Sequence, residues 1–131
     1  MDTLGLPLSV VVHPADVQDR DGARAVLAPL ARKFSRLGKV WADAAYAGDL
    51  AGWVSRLRWR DRVGLELVEK PAGPGFVVSR RRWVVERTFG WAGRSRRLSK
   101  DYEATTSSAE ALFKLAMIHL MVRRLVMRPA F

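Results

Sequence analysis

The sequence predicts an α/β domain with a mixed or parallel sheet. Two observations carry that expectation. Short apolar, β-branched runs alternate with segments of helical spacing as far as Lys70, and beyond the turn-rich stretch Pro71-Ala72-Gly73-Pro74-Gly75 only helical spacing remains. With 131 residues, 49% of them hydrophobic, the chain has material for one ordinary domain with a core. The proline-glycine stretch is read as a loop inside that domain. It separates a strand-and-helix part, residues 1–70, from a helical part, residues 76–131.

Leu8 to Val12 reads as a buried strand ended by His13-Pro14. Asp19 or Asp21 can cap a helix over Gly22 to Arg36, which places Val26, Leu27, Leu30, Phe34 and Leu37 near one face. Pro29 should kink it, and Gly38 should stop it. Lys39 to Ala42 is a second short strand running into Asp43, Asp49 to Arg58 a surface helix, and Arg62 to Lys70 a third strand with Val63, Leu65 and Leu67 on one side. Arg81 to Gly93 reads as a helix offering Trp83, Val84, Phe89 and Trp91 to the core. Ser107 with Glu110 forms a capping box for a last helix reaching Met127, apolar almost all round and so expected to be buried on several sides.

Charge narrows the function. A formal net charge of +10 in a globular chain points to a polyanionic partner, most often nucleic acid. The absence of cysteine excludes disulfides, thiolate metal sites and cysteine nucleophiles. No signal-peptide pattern is present, and the longest apolar stretch, Ala111 to Val122, is interrupted by Lys114 and His119, so a cytoplasmic protein without membrane association is expected. The opening Met1-Asp2-Thr3-Leu4-Gly5-Leu6-Pro7 resembles a hairpin turn without its first strand. That predicts an N-terminally truncated sheet.

Two carboxylates stand out. Asp43 lies at the end of an apolar strand, in Trp41-Ala42-Asp43-Ala44-Ala45-Tyr46-Ala47-Gly48, where α/β sheets place catalytic groups. A carboxylate there suits a hard cation such as Mg²⁺, although from the residues alone a cap or loop aspartate is the plainer reading. Glu86 is the only acid among the eight cationic residues between Arg80 and Lys100. Such a stretch attracts phosphate backbones with strong salt dependence. The plainer alternative for Glu86 is a helix-surface ion pair with Arg82, four residues earlier. His13 and His119 lack partners at ligand spacing and read as strand-end and core residues; Lys39, Lys70 and Lys114 read as solvated side chains.

The phrase Arg82-Trp83-Val84-Val85-Glu86-Arg87-Thr88-Phe89-Gly90-Trp91, then Arg94-Ser95-Arg96-Arg97-Leu98 and Lys100-Asp101-Tyr102-Glu103, together with Ala42 to Gly48, resembles bacterial insertion-sequence transposases of the DDE class. The resemblance runs from Asp2-Thr3-Leu4-Gly5 through Ala15 to Asp21 and on to the last helix. It implies a ribonuclease H-like core in which two aspartates and a glutamate hold two Mg²⁺ or Mn²⁺ ions beside the scissile phosphate. By resemblance Asp43 is the second aspartate, Glu86 the glutamate, and Arg82 the arginine four residues before it. Ser79 stands where a tyrosine is expected, and Gly93, with Arg94 adjacent, where a basic residue is expected.

In that family the first aspartate lies on a strand ahead of the hairpin that Asp2 to Gly5 resembles, and Asp2 is a poor substitute. The implied function is cutting and joining DNA at transposon ends, with target DNA, the missing N-terminal part or another transposase chain as partners. Arg80, Arg81, Arg82, Arg87, Arg94, Arg96 and Arg97 would contact phosphates. The fragment is expected to be inactive alone, and a non-catalytic basic DNA-binding remnant is the alternative.

Overall fold

The computed structural model describes residues 1–57, 59, 62–68 and 80–127, with the Arg80 side chain left aside. The chain forms two compact units, one made of His13–Arg81 and the other of Met1–Val12 with Arg82–Phe131.

The first unit is α/β. Helix α1 (Asp19–Leu27) and the single turn α2 (Leu30–Lys33) precede strand β1 (Lys39–Asp43), helix α3 (Leu50–Arg56) and strand β2 (Gly64–Val68). The two strands pair in parallel, with Lys39 opposite Gly64 and Asp43 opposite Val68. A parallel pair needs a crossover, which α3 supplies. Leu27, Leu30, Leu50, Val54 and Val63 are buried and form the core of this unit.

The expected long helix is divided at Pro29. Ala28 and Pro29 keep right-handed helical dihedrals, but proline lacks the N–H that would continue the ladder, so α1 and α2 are separate pieces. The second piece ends at Lys33, short of Arg36, because Phe34 is extended. Neither Asp19 nor Asp21 caps α1. Both lie inside its first turn, where their charge suits the positive end of the helix dipole, and Gln18 holds the cap position. In β2, Leu67 is exposed, so the one-sided apolar face expected of that strand is only partly formed. Arg62 and Val63 precede the strand, which begins only at Gly64, while Glu69 and Lys70 of the expected strand, the Pro71 to Gly75 loop and Ser79 fall outside the described residues.

The second unit is helical, with α4 (Arg80–Ala92, the unit holding Arg82 onward) and α5 (Thr106–Met127). Leu8 to Val12 is not a strand. A strand needs a ladder partner, and the sheet among the described residues consists of β1 and β2 alone. The Val12 amide donates instead to Glu110 Oε1 at 3.1 Å. Lys114 also donates to Glu110, at 2.8 Å, and this bond, with the Val12 amide second, holds the Glu110 carboxyl below the usual carboxylate range.

Trp83 and Phe89 are not core residues. They are 51% and 60% exposed, although Phe89 meets Phe113 of α5 at 6.4 Å between ring centroids. In α5 only Met117 is buried, while Leu115, Ile118, Val122, Leu125 and Val126 are exposed, so its expected burial on several sides is not found. His119 is exposed too. The N-cap of α5 is Thr105 rather than Ser107. Thr105 Oγ1 accepts from the Ser108 amide at 3.2 Å, which puts Ser107 inside the first turn and leaves Glu110 free for Lys114 and Val12. Thr105→Ala should therefore cost about 1 kcal/mol, measured by urea unfolding, and Ser107→Ala close to nothing. Equal effects of the two would refute this cap. Among the described residues, no helix is long and apolar enough to cross a membrane.

Candidate functional site

Asp43 is the last residue of β1. One carboxylate oxygen, Oδ1, accepts from the Ala45 amide at 3.0 Å and caps the short 3-10 turn Ala44–Tyr46. The capping role considered for this residue is thus real, and it coexists with an exposed carboxylate whose second oxygen has no hydrogen bond among the described residues. A ligand held on one oxygen by the backbone and open on the other is oriented before any cation arrives.

The loop that carries Asp43 is fastened by a residue that sequence reasoning overlooked. Arg20, in the first turn of α1, donates from Nη1 to the Ala47 carbonyl at 3.1 Å. Gly48 permits the approach: its φ is +118°, and a Cβ there would lie 3.2 Å from the same nitrogen. Burial raises the pKa of the Tyr46 phenol, and Asp19 and then Asp43 add to the effect, so the acidic start of α1 faces this loop as well. The only sequence signal for Arg20 is its place in the Ala15 to Asp21 phrase.

Glu86 lies in the middle of α4 with an exposed side chain and has no ion pair among the described residues. The Arg82–Glu86 pair, the plain alternative for both residues, is not formed. The residues just after Glu86 serve the fold. Thr88 is 1% exposed, and its hydroxyl lies 2.7 Å from the Gly5 carbonyl and 2.9 Å from that of Val84, able to donate to one at a time. Arg87 Nη2 donates to the Leu4 carbonyl at 3.1 Å. The turn so held is built by Asp2, whose Oδ1 accepts from the amides of Leu4 at 2.9 Å and Leu6 at 2.8 Å. Asp2 thus builds this turn through one of its carboxylate oxygens.

The arginines divide into two groups. Arg81 belongs to the α/β unit, bonded to Glu66 at 2.6 Å and stacked 4.7 Å from the Trp41 ring; Lys39, 2.9 Å from Glu66, completes a triad that holds the Glu66 carboxyl below its usual range, the Lys39 bond contributing most. Arg97 pairs with Glu103, and Arg87 is tied to Leu4. Arg82, Arg94 and Arg96 are exposed and have no acidic partner among the described residues. Lys39 and Lys114, expected to be solvated, are half exposed and also ion-paired.

Asp43 and Glu86 belong to different units, and each is defined within its own. Among the described residues, no group of three His, Asp or Glu side chains is placed to hold a metal ion. The donor chemistry fits a hard divalent cation nonetheless: both carboxylates are exposed and free of ion pairs, and Mg²⁺ takes one or two carboxylates from protein and completes its shell with water and phosphate.

The described residues thus comprise an α/β unit that presents an aspartate at a strand end, and a helix that presents a glutamate among arginines. The particular family follows from comparison. The family model described as transposase DDE domain matches residues 1–121, and the chain belongs to that family. No curated protein and no solved structure matches.

Proposed function

We propose that this chain supplies the second aspartate, Asp43, and the glutamate, Glu86, of a DDE strand-transfer site built on a ribonuclease H-like core. In this reading residues 1–131 are part of one catalytic domain, with a strand-and-helix part (1–70) and a helical part carrying the glutamate (76–131). The substrate is DNA, at bacterial insertion-sequence ends and target, and the place of action is the cytoplasm. One observation carries the reading: Glu86 stays exposed and, among the described residues, unpaired within a strongly cationic stretch of the chain, while its neighbours Arg87 and Thr88 are committed to the fold. A glutamate kept only for helix stability would be expected to pair with Arg82.

Asp43 offers one oxygen, with its side chain oriented by the Ala45 amide and its loop held by Arg20. Glu86 offers the other carboxylate from a helix that also carries Arg82. Arg82, Arg94 and Arg96 neutralise backbone phosphates and set register without reading sequence, joined by Arg80 and, when DNA competes for their present partners, by Arg81, Arg87 and Arg97. Bound Mg²⁺ or Mn²⁺ supplies neutralisation of the scissile phosphate and an activated water or 3′-hydroxyl.

The third carboxylate is assigned to no residue here: by resemblance it lies on a strand ahead of the turn, and Asp2 lies in the turn itself. The purified chain with Mg²⁺ should therefore not nick duplex DNA, and adding a polypeptide that carries the first-aspartate strand should restore cleavage. Robust nicking by the chain alone would overturn the two-carboxylate assignment. Salt-sensitive DNA binding with no cleavage in either mixture would replace it with a non-catalytic DNA-binding remnant.

A further inference from the structure

Within the helical unit, two guanidinium groups share one indole. Arg124, near the end of α5, lies 4.0 Å from the Trp91 ring centroid, and Arg87 of α4 lies 4.9 Å from it. Each contact is favourable, because a cation over an indole face is attracted by the ring quadrupole. The two cations nevertheless repel each other, and neither has a carboxylate within ion-pair distance among the described residues. Arg87 also carries a buried Nε that lacks a partner among the described residues, and its Nη2 is occupied by the Leu4 carbonyl. Arg124 has no hydrogen bond to protein among the described residues.

An arrangement of this kind selects an anion. Stacking uses the face of a guanidinium and leaves its N–H edges for an acceptor, and the planar fork matches the oxygens of a phosphodiester. A bound phosphate also relieves the repulsion between the two arginines. We propose that Arg124, held on Trp91 beside Arg87, binds a backbone phosphate of DNA, so that the end of α5 belongs to the nucleic-acid surface. Arg87 contributes charge while fastening the Asp2 to Leu6 turn, and Arg124 makes the contact. The inference rests on the reading of this chain as a DNA-binding transposase part, and it adds a residue from a helix that the sequence marks mainly as apolar.

The test is the affinity of the full chain for a short fluorescein-labelled duplex, followed by anisotropy over a range of salt concentrations. Loss of one phosphate contact reduces the slope of log affinity against log salt by about 0.9. Arg124→Ala should show that reduction and weaker binding, and Arg124→Lys should recover the slope but only part of the affinity, because an ammonium keeps the charge and not the fork. Arg123→Ala, removing the exposed neighbour, is the control and should change the slope less. If Arg124→Ala does not fold, Arg124→Gln makes the same comparison with a longer side chain.

An unchanged slope in the Arg124 variant, with normal salt-sensitive binding by the wild type, overturns this inference alone. So does an equal change in the Arg123 variant. Wild-type binding indifferent to salt, or none, overturns the DNA reading itself.

Discussion

Replacing Glu86 by alanine should abolish strand transfer in the reconstituted system, by on the order of a thousandfold, while DNA affinity is kept or rises. The two halves of this result have different physical origins. A carboxylate that holds a catalytic divalent ion supports several kcal/mol of transition-state charge stabilisation, and each 1.4 kcal/mol is about tenfold in rate. Binding is governed by phosphate neutralisation, and removing one negative charge from among Arg82, Arg87 and their neighbours can only favour a polyanion. Because Glu86 has no ion pair among the described residues and is exposed, its loss leaves no buried charge behind, and the melting temperature should hold. The measurement is single-turnover strand transfer beside anisotropy binding on one preparation. Strand transfer surviving in the alanine variant would remove Glu86 from the metal site. A parallel fall of activity and affinity would make it a residue of the binding surface instead.

Gly5→Ala should be the most destabilising small change in the helical unit, at about 2–4 kcal/mol. Gly5 has φ +82°, a conformation costing an L residue about 1 kcal/mol. A Cβ there would lie 2.7 Å from Thr88 Oγ1 and 3.0 Å from the Trp91 ring, so the hydroxyl is pushed toward Val84 and the buried Gly5 carbonyl loses its donor, at about 1–3 kcal/mol for a polar group left unsatisfied. Gly90→Ala is the internal comparison. Nothing lies within 4 Å of its Cβ position on α4, and alanine there should stabilise by about 0.5–1 kcal/mol. Urea unfolding followed by tryptophan fluorescence reads both, and a Gly5 variant as stable as wild type would mean that the turn is not fastened to α4 as described.

Legibility differed from one feature to the next for physical reasons. Asp43 at a strand end and Glu86 on a helix were readable because each depends on local periodicity and on a motif only a few residues long. The parallel crossover through α3 followed from alternation alone. Leu8 to Val12 misled because β-branched composition reports a preference for extended backbone but cannot supply a partner strand. The cap of α5 was placed two residues late because Thr105, Thr106, Ser107 and Ser108 are all hydroxyl-bearing or cap-competent, and only the path of the chain selects among them. The apolar surface of α5 showed why composition alone is a poor measure of burial.

What the sequence determined by itself is the resemblance to DDE transposases, which the family match over residues 1–121 bears out, together with a carboxylate at the end of a strand, another on a helix and a strongly positive charge, since these are carried by motif, residue identity and short spacing. Which arginines are free, which are bound to Glu66, Glu103 or Leu4, how Arg20 reaches Ala47, and how Thr88 and Trp91 gather the first turn of the chain were decided only in three dimensions. Those contacts join residues as much as 83 positions apart, and no local pattern encodes a pairing at that separation.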